Sequence, residues 1–184
     1  DIKDKINIFF YDGNVNKMIN FFKQIGNIDT VFHLASLVKT SHTSEDITDL
    51  IDSNITFGTH ILEAMYCVQC SNFINTSTYW QHYNNENYNP VDLYAATKEA
   101  FEKVKAFYVK ARRFNVITLE LYDNYGKNDK RRKIMNLLKE SFLSDKPLKM
   151  TLGEQKVDIL YIDYLINAYI VAESQLEGNM GHSK

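Results

Sequence analysis

The chain has 184 residues, of which 45% are hydrophobic and 24% are charged, and its formal net charge is -2. This length is enough for one domain with a sizeable core, and the composition is that of an ordinary globular protein. The charge balance argues against general nucleic-acid binding, which needs a basic surface, and no apolar run approaches the ~20 residues of a membrane-spanning helix.

In chain order, apolar β-rich runs alternate with longer segments of helical period. The elements predicted up to residue 70 are a strand over 6–11 with a turn at 12–14, a helix over 15–25 ended by Gly26, a strand over 30–35, and a helix over about 45–70. Those predicted after it are a strand over 72–75, a tyrosine-rich loop over 79–89, a helix from Pro90 to about 114, and a strand over 116–119. Pro90 suits the first turn of its helix.

Connections of this length cannot be hairpins, so the strands are predicted to be parallel and flanked by helices, which is an α/β fold. Ligands of such sheets bind beyond the carboxyl ends of the strands. The polar residues expected at that edge are Asp12, Ser36, Thr76, Ser77, Thr78, Asp123, Asn124 and Tyr125.

The start of the chain and its two cysteines bear on the cellular context. The first five residues are mostly charged and lack an initiator Met, so we expect a piece of a longer protein, and nothing there resembles a secretory signal. Cys67 and Cys70 have no further His or Cys pair at zinc-site spacing. We therefore predict no metal site and expect buried, reduced thiols, which are typical of a cytoplasmic protein.

Tyr94 and Lys98 stand four residues apart on a predicted helix and therefore share one face. An ammonium group beside a phenol favours phenolate, so Lys98 is expected to lower the pKa of Tyr94 from its usual value of about 10. Such a phenol can exchange a proton with a sugar or alcohol hydroxyl, and the hydroxyl of Thr78 can share the same substrate oxygen. The spacing alone also fits an amphipathic surface helix.

Several segments resemble, in the same order, the extended short-chain dehydrogenase/reductase family in its branch that acts on nucleotide sugars. The segments are 29–36, Asn54 with Gly58-Thr59, 72–78, Tyr94 with Lys98, 123–126, and 153–163. Within that branch, 121–126 and 153–158 most resemble reductases of the CDP-abequose and CDP-paratose synthase type. Asn54 stands one residue further from its glycine than the family pattern implies.

The resemblance implies a Rossmann-like, doubly wound parallel sheet that binds NADP or NAD. Residues 1–184 would form a single, incomplete cofactor-binding domain, with about 127–155 contributing to the substrate-binding portion. The implied catalytic residues are Thr78, Tyr94 and Lys98. The implied cofactor-binding residues are Asp12, Leu34, Ala35, Ser36, Asn54, Thr76, Ser77, Tyr94, Lys98, Leu121 and Tyr122. The implied substrate-binding residues are Thr78, Asp123, Asn124, Arg131 and Arg132.

Some of these residues also have purely structural interpretations. Asp12 can instead cap a turn, and His33 is interpreted as a packed strand residue rather than an acid or base. Val157 stands where many relatives carry an arginine that pairs with the nucleotide diphosphate. The basic run from Lys127 to Lys133 either replaces that arginine or is a solvated helix face.

The glycine-rich phosphate loop that opens the family's first strand-helix unit is absent from these residues. We therefore expect the chain to begin near the family's third strand and to stop before the sugar-binding part is complete. Without the loop, this chain alone is expected to bind a dinucleotide poorly.

The residues after Thr78 indicate the reaction. Dehydratases of this branch place an Asp-Glu pair there, whereas this chain has Tyr79 and Trp80, which do not exchange protons at neutral pH. We therefore hypothesise reduction of a 4-keto group on a nucleotide-linked deoxysugar. The alternatives are an NAD-dependent nucleotide-sugar 4-epimerase and a catalytically inactive relative that binds nucleotide sugars. The implied partners are the nucleotide sugar and, by analogy, a second copy in a homodimer, with no nucleic acid and no membrane.

Overall fold

Parallel strands form two sheets in the computed structural model, which describes residues 6–131, 133–150, 152–154, 156–176 and 182–183. The larger sheet contains β1 (Thr30–His33), β2 (Asn72–Thr78), β3 (Asn115–Leu121) and β6 (His182–Ser183), in the order β1-β2-β3-β6. The smaller sheet pairs β4 (Asp123–Tyr125) with β5 (Ile159–Tyr161). Every strand pair among the described residues is parallel, and Asn72 lies opposite both Thr30 and Asn115.

Helices connect these strands. They are α1 (Val15–Ile25), α2 (Asp46–Ile51), α3 (Phe57–Cys67), α4 (Leu93–Arg112), α5 (Ile134–Ser144) and α6 (Ile162–Leu176). A π-helical turn over Asp52–Thr56 joins α2 to α3, so the predicted long helix is continuous. Asn14 caps α1, and Gly26 ends it at a φ of 85°, a conformation that side chains with a Cβ rarely adopt.

Helices cover both faces of the larger sheet. Because side chains alternate along β2, neighbouring residues of this strand pack against different helices. On one face, Phe73 is buried in a core shared with α1, α3 and α4. On the other face, Ile74 and Ile117 pack against Ala172 and Leu176 of α6. The predicted α/β fold with a parallel sheet covered on both faces is therefore confirmed.

The strand predicted over 6–11 is wrong. Residues 6–12 belong to neither sheet of the described chain. Their side chains hold the segment instead: Phe9 stacks on Phe21 with ring centroids 4.8 Å apart, and the Tyr11 hydroxyl lies 2.7 Å from Nδ1 of His60. An apolar, β-rich run becomes a strand only where a neighbouring strand takes up its backbone hydrogen bonds.

Two smaller expectations also differ from the structure. Pro90 precedes α4 rather than lying in its first turn, because Asp92 is the N-cap and accepts a 2.7 Å hydrogen bond from the backbone N–H of Ala95. Cys70 is buried as expected, but Cys67 is exposed at the end of α3.

Across the described ranges, no helix has the length and apolar character needed to cross a membrane.

Candidate active site

A cleft of about 750 Å³ opens beyond the carboxyl ends of β1, β2 and β3, where parallel sheets bind ligands. The predicted site residues that line it are Leu34, Ser36, Thr76, Ser77, Thr78, Tyr94, Leu121, Tyr122, Asp123, Asn124 and Arg131. The cleft is also lined by Val38, Thr40, Trp80, Lys133, Ile134, Ile162, Leu165, Ile166 and Tyr169. Its volume is in the usual range for small-molecule sites.

Some of the predicted site residues do not line this cleft. They are Asp12, Ala35, Asn54 and Lys98, while Arg132 is outside the described residues. Asp12 accepts a 3.2 Å hydrogen bond from the backbone N–H of Asn14 and pairs with Lys17. The hydrogen bond from Lys17 holds the pKa of Asp12 below its usual value. Asp12 therefore stabilises the turn before α1, which was its structural interpretation, and its role in cofactor binding stays a prediction.

Asn54 lies behind the cleft, fully buried in the π-helical turn. Its Oδ1 accepts a hydrogen bond of 2.8 Å from the backbone N–H of Leu37. Its Nδ2 donates to the carbonyl oxygen of Leu37 at 3.0 Å and to Oγ1 of Thr97 at 2.9 Å. Asn54 thus ties the segment that follows β1, which carries Ser36, to the helix that carries Tyr94.

Tyr94 lies in the first turn of α4, with 8% of its surface exposed. The side chains of Ser36 and Thr78 act on its hydroxyl group in the direction that lowers the pKa of Tyr94. Burial raises the pKa of Tyr94 above 10.0, and the charge of Asp92 adds to this rise. The lowered pKa predicted from the sequence is therefore wrong for the protein alone, because the removal of the phenol from water outweighs the effect of Ser36 and Thr78.

Lys98 lies one helical turn further along α4, with 2% of its surface exposed. Burial and the positive charge of Lys105 lower the pKa of Lys98 to about 8, against the opposing effect of Glu102. The side chain therefore stays mostly protonated at neutral pH and places an ammonium group behind the wall of the cleft.

Helix α6 forms a wall of the cleft that sequence reasoning missed. Ile162, Leu165, Ile166 and Tyr169 line it, and the hydroxyl of Tyr169 lies 2.5 Å from Oγ1 of Thr76 on β2. The spacing of these four residues is helical, which was the available signal. The face that α6 presents to the sheet depended on tertiary contacts that the sequence does not show.

A basic group at the cleft, made up of Arg131 and Lys133, follows β4 in the chain. Nζ of Lys133 is 2.9 Å from Oδ1 of Asp123. Arg131 forms a salt bridge of 2.6 Å with Asp129 and donates a hydrogen bond of 2.8 Å to Oδ1 of Asn124. Both cations line the cleft, and the side chain of Arg131 keeps 55% exposure despite its ion pair.

The two residues after Thr78 are placed differently. Trp80 lines the cleft, whereas Tyr79 stacks on Tyr122 with ring centroids 4.2 Å apart. This wall of the cleft therefore presents an aromatic ring, and Tyr79 and Trp80 stand where the family resemblance places the Asp-Glu pair of dehydratases.

The chain is similar in sequence to two CDP-abequose synthases. The CDP-abequose synthase of Yersinia pseudotuberculosis is 33% identical over 149 residues, which cover 78% of this chain and 51% of that protein. The CDP-abequose synthase of Salmonella muenchen is 28% identical over 145 residues, covering 78% of this chain and 48% of the other. The chain thus spans about half the length of the curated relatives it matches.

Solved structures show the same fold. The UDP-glucuronic acid 4-epimerase from Bacillus cereus in complex with NAD superposes with a TM-score of 0.78 at 23% identity, over 92% of this chain and 57% of that chain. A sequence profile described as the NAD dependent epimerase/dehydratase family matches residues 3–181. Since this match covers nearly all of the sequence, the chain belongs to the NAD dependent epimerase/dehydratase family.

Proposed function

We propose that the protein containing this chain uses NADPH or NADH to reduce the 4-keto group of a CDP-linked deoxysugar. The observation that carries the proposal is the buried Tyr94, which lines the cleft together with Ser36 and Thr78. The names of the CDP-abequose synthases support the choice of nucleotide and sugar. Residues 1–184 would then be one incomplete cofactor-binding domain, with about 127–155 contributing to substrate binding.

The side chains at the cleft can deliver a proton to a carbonyl oxygen. Because burial raises the pKa of Tyr94, the phenol keeps its proton at neutral pH and can donate it as the carbonyl oxygen becomes negative. The hydroxyl of Thr78 can donate a second hydrogen bond to the same oxygen and hold it in place. The ammonium group of Lys98 then stabilises the phenolate that remains.

The cleft fits the nicotinamide half of NADP or NAD by the chemistry of its walls. Hydroxyl groups of Ser36, Thr76 and Ser77 offer hydrogen bonds to a ribose and a carboxamide, and Leu34 and Leu121 offer apolar surface for a ring. We also propose that Lys98, which lies behind the wall of the cleft, binds the ribose, as the family resemblance implies. When bound, the reduced cofactor supplies the hydride, while the protein supplies position and the proton.

The basic group after β4 suits a nucleotide diphosphate. Arg131 and Lys133 both line the cleft, and arginine offers the fork of donors that matches phosphate oxygens. Their carboxylate partners, Asp129 and Asp123, hold the two cations in place before the substrate binds. This arrangement supports the interpretation that the basic run replaces the arginine absent at Val157.

A nucleotide-sugar 4-epimerase is the second candidate, supported by the likeness to a Bacillus cereus UDP-glucuronic acid 4-epimerase variant at 26% identity. Epimerisation through a ketone begins by removing a proton from a hydroxyl group, for which a phenol with a raised pKa is poorly suited. A catalytically inactive relative is disfavoured because Thr78, Tyr94 and Lys98 occur together.

Replacing Tyr94 with Phe tests the proposal, with Tyr108→Phe as a matched control on the same helix. Tyr108 also has a buried, hydrogen-bonded hydroxyl, 2.9 Å from Glu63, but it lies outside the cleft. In the intact protein, Tyr94→Phe should lower turnover of a CDP-linked 4-keto sugar by at least ~100-fold, the usual scale for a proton donor. Cofactor affinity should change little, and Tyr108→Phe should keep turnover. Normal turnover by Tyr94→Phe would refute the assignment.

The cofactor balance separates the two reactions. A reductase consumes one NADPH or NADH for each sugar reduced, whereas an epimerase interconverts sugars without net consumption. Sugar conversion with a flat absorbance trace of added cofactor would therefore favour the epimerase. A flat trace without conversion, alongside measurable binding of the nucleotide sugar, would favour the inactive relative.

A further inference from the structure

A line of ionisable side chains lies along one face of α4, behind the candidate site. Tyr94, Lys98, Glu102 and Lys105 are spaced four, four and three residues apart, which keeps them on one side of the helix. Their exposed fractions are 8%, 2%, 4% and 0%. Charged side chains are rarely buried to this extent unless they are paired, so this row calls for an explanation beyond the structural role of the helix.

Glu102 and Lys105 form a buried ion pair with further polar contacts. Nζ of Lys105 lies 2.6 Å from Oε1 of Glu102 and donates a 2.5 Å hydrogen bond to Oγ1 of Thr118 on β3. The side chain of Asn75 on β2 donates to Oε1 of Glu102 at 3.3 Å. These contacts fix the carboxylate and the second ammonium group at defined positions next to Lys98.

Other titratable groups lie near the row. His33 on β1 faces the row and bonds to Asn75 at 2.9 Å, and burial lowers its pKa to about 4, so it is neutral near pH 7. Glu102 also lines a small cavity of about 190 Å³ beside α4. The charged or titratable residues that share this cavity are His82, Glu99 and Lys103.

Charges of both signs act on Lys98 within this row. Burial and Lys105 oppose the charge on Lys98, and Glu102 favours it. Neutralising Glu102 should therefore lower the pKa of Lys98, and neutralising Lys105 should raise it.

We propose that Glu102 and Lys105 are positioning residues that set the charge on Lys98, and through it the pH range in which Tyr94 works. This inference rests on the proposed function, because Lys98 needs its charge to stabilise the phenolate left after proton transfer. The ion pair thus tunes the active site from one to two helical turns away without touching the substrate.

Glu102→Gln and Lys105→Met test the proposal in the intact protein, with Glu99→Gln as a control. Glu99 carries the same charge and lines the same small cavity, but its ion-pair partner is the exposed Lys103, at 3.2 Å. Activity should fall at alkaline pH as Lys98 loses its proton. Glu102→Gln should move that fall to lower pH and Lys105→Met to higher pH, each by roughly one pH unit or more, whereas Glu99→Gln should leave it in place.

A second measurement does not depend on turnover. Lysine side-chain NMR in the free protein, with the Lys98 signal assigned from a Lys98→Met sample, should show the same two opposite changes in the pKa of Lys98. Opposite changes by NMR without any turnover would support the tuning and reject the proposed reaction. The expected direction of the change in the pKa of Lys98 is specified for each variant separately. A single variant that folds is therefore enough to test the proposal. Shifts of the same sign, or none, in the folded variants would overturn the proposal.

Discussion

Acidification should destabilise this protein through His33. The imidazole has 1% exposure and packs among the rings of Phe57, Phe73 and Phe101, with centroids 5.9, 5.7 and 5.4 Å away. Burial lowers its pKa from 6.5 to about 4, and the nearby positive charges of Lys98 and Lys105 add to the effect, against the hydrogen bond with Asn75. Between these two pH values, the unfolded chain binds a proton that the folded protein excludes. The free energy of unfolding must therefore fall as the pH falls.

The magnitude follows from the gap between the folded and unfolded pKa values of His33, which is about 2.5 on the pH scale. At ~1.4 kcal/mol for each pH unit, complete protonation costs about 3 kcal/mol of stability, all of it present above pH 6.5 and lost on approach to pH 4. The free energy of unfolding of a typical domain is roughly 5–15 kcal/mol, so this loss is a large share of it.

Urea unfolding of the intact protein at a series of pH values between about 7 and 4 measures the effect. His33→Gln cannot titrate and keeps an amide for Asn75, so its stability should depend less on pH, by about 3 kcal/mol over that range. The exposed His42 gives a matched control, because His42→Gln should keep the pH dependence of the wild type. Equal losses of stability in His33→Gln and the wild type as the pH falls would show that His33 does not cause the loss.

Two further substitutions test how the site is held. Asn54→Ala removes three hydrogen bonds to Leu37 and Thr97, so urea unfolding should show a loss of about 2–4 kcal/mol, and a loss below ~1 kcal/mol would contradict the anchoring role. Gly58→Ala places a Cβ 2.5 Å from Cζ of Phe101, and the cost of overpacking, about 1–3 kcal/mol, should exceed the gain in helix propensity of ~1 kcal/mol. In a Phe101→Leu background the same change should become neutral or stabilising, and an equal loss in both backgrounds would rule out the steric explanation.

The order and type of most elements could be predicted because their apolar residues repeat with a clear period. The helix from Val15 to Ile25 has both a period and two end signals, Asn14 and Gly26, and the structure follows all of them. Residues 6–11 have the composition of a strand but no partner strand among the described residues. Composition reports what a segment can form, whereas pairing decides what it does form.

The candidate site could be predicted in part because parallel strands bring their carboxyl ends to one edge. Ser36, Thr78 and Leu121 follow or end three neighbouring strands, and all three line the cleft. Tyr169 was missed because it lies on α6, far along the chain, and reaches the site only through the packing of that helix on the sheet. Asn54 was assigned to the cofactor because its position in a motif does not say which way the side chain points.

The phenol at the centre of the site shows most clearly where spacing stops being informative. The spacing of four residues from Tyr94 to Lys98 fixes a shared helix face, but the pKa of each side chain depends on how much water surrounds it. Burial raises the first pKa and lowers the second, so at neutral pH the pair is a protonated phenol beside an ammonium group rather than a phenolate. Such a pair is prepared to give a proton to a developing alkoxide. The spacing of the two residues therefore could not give the protonation state from which the proposed proton transfer starts.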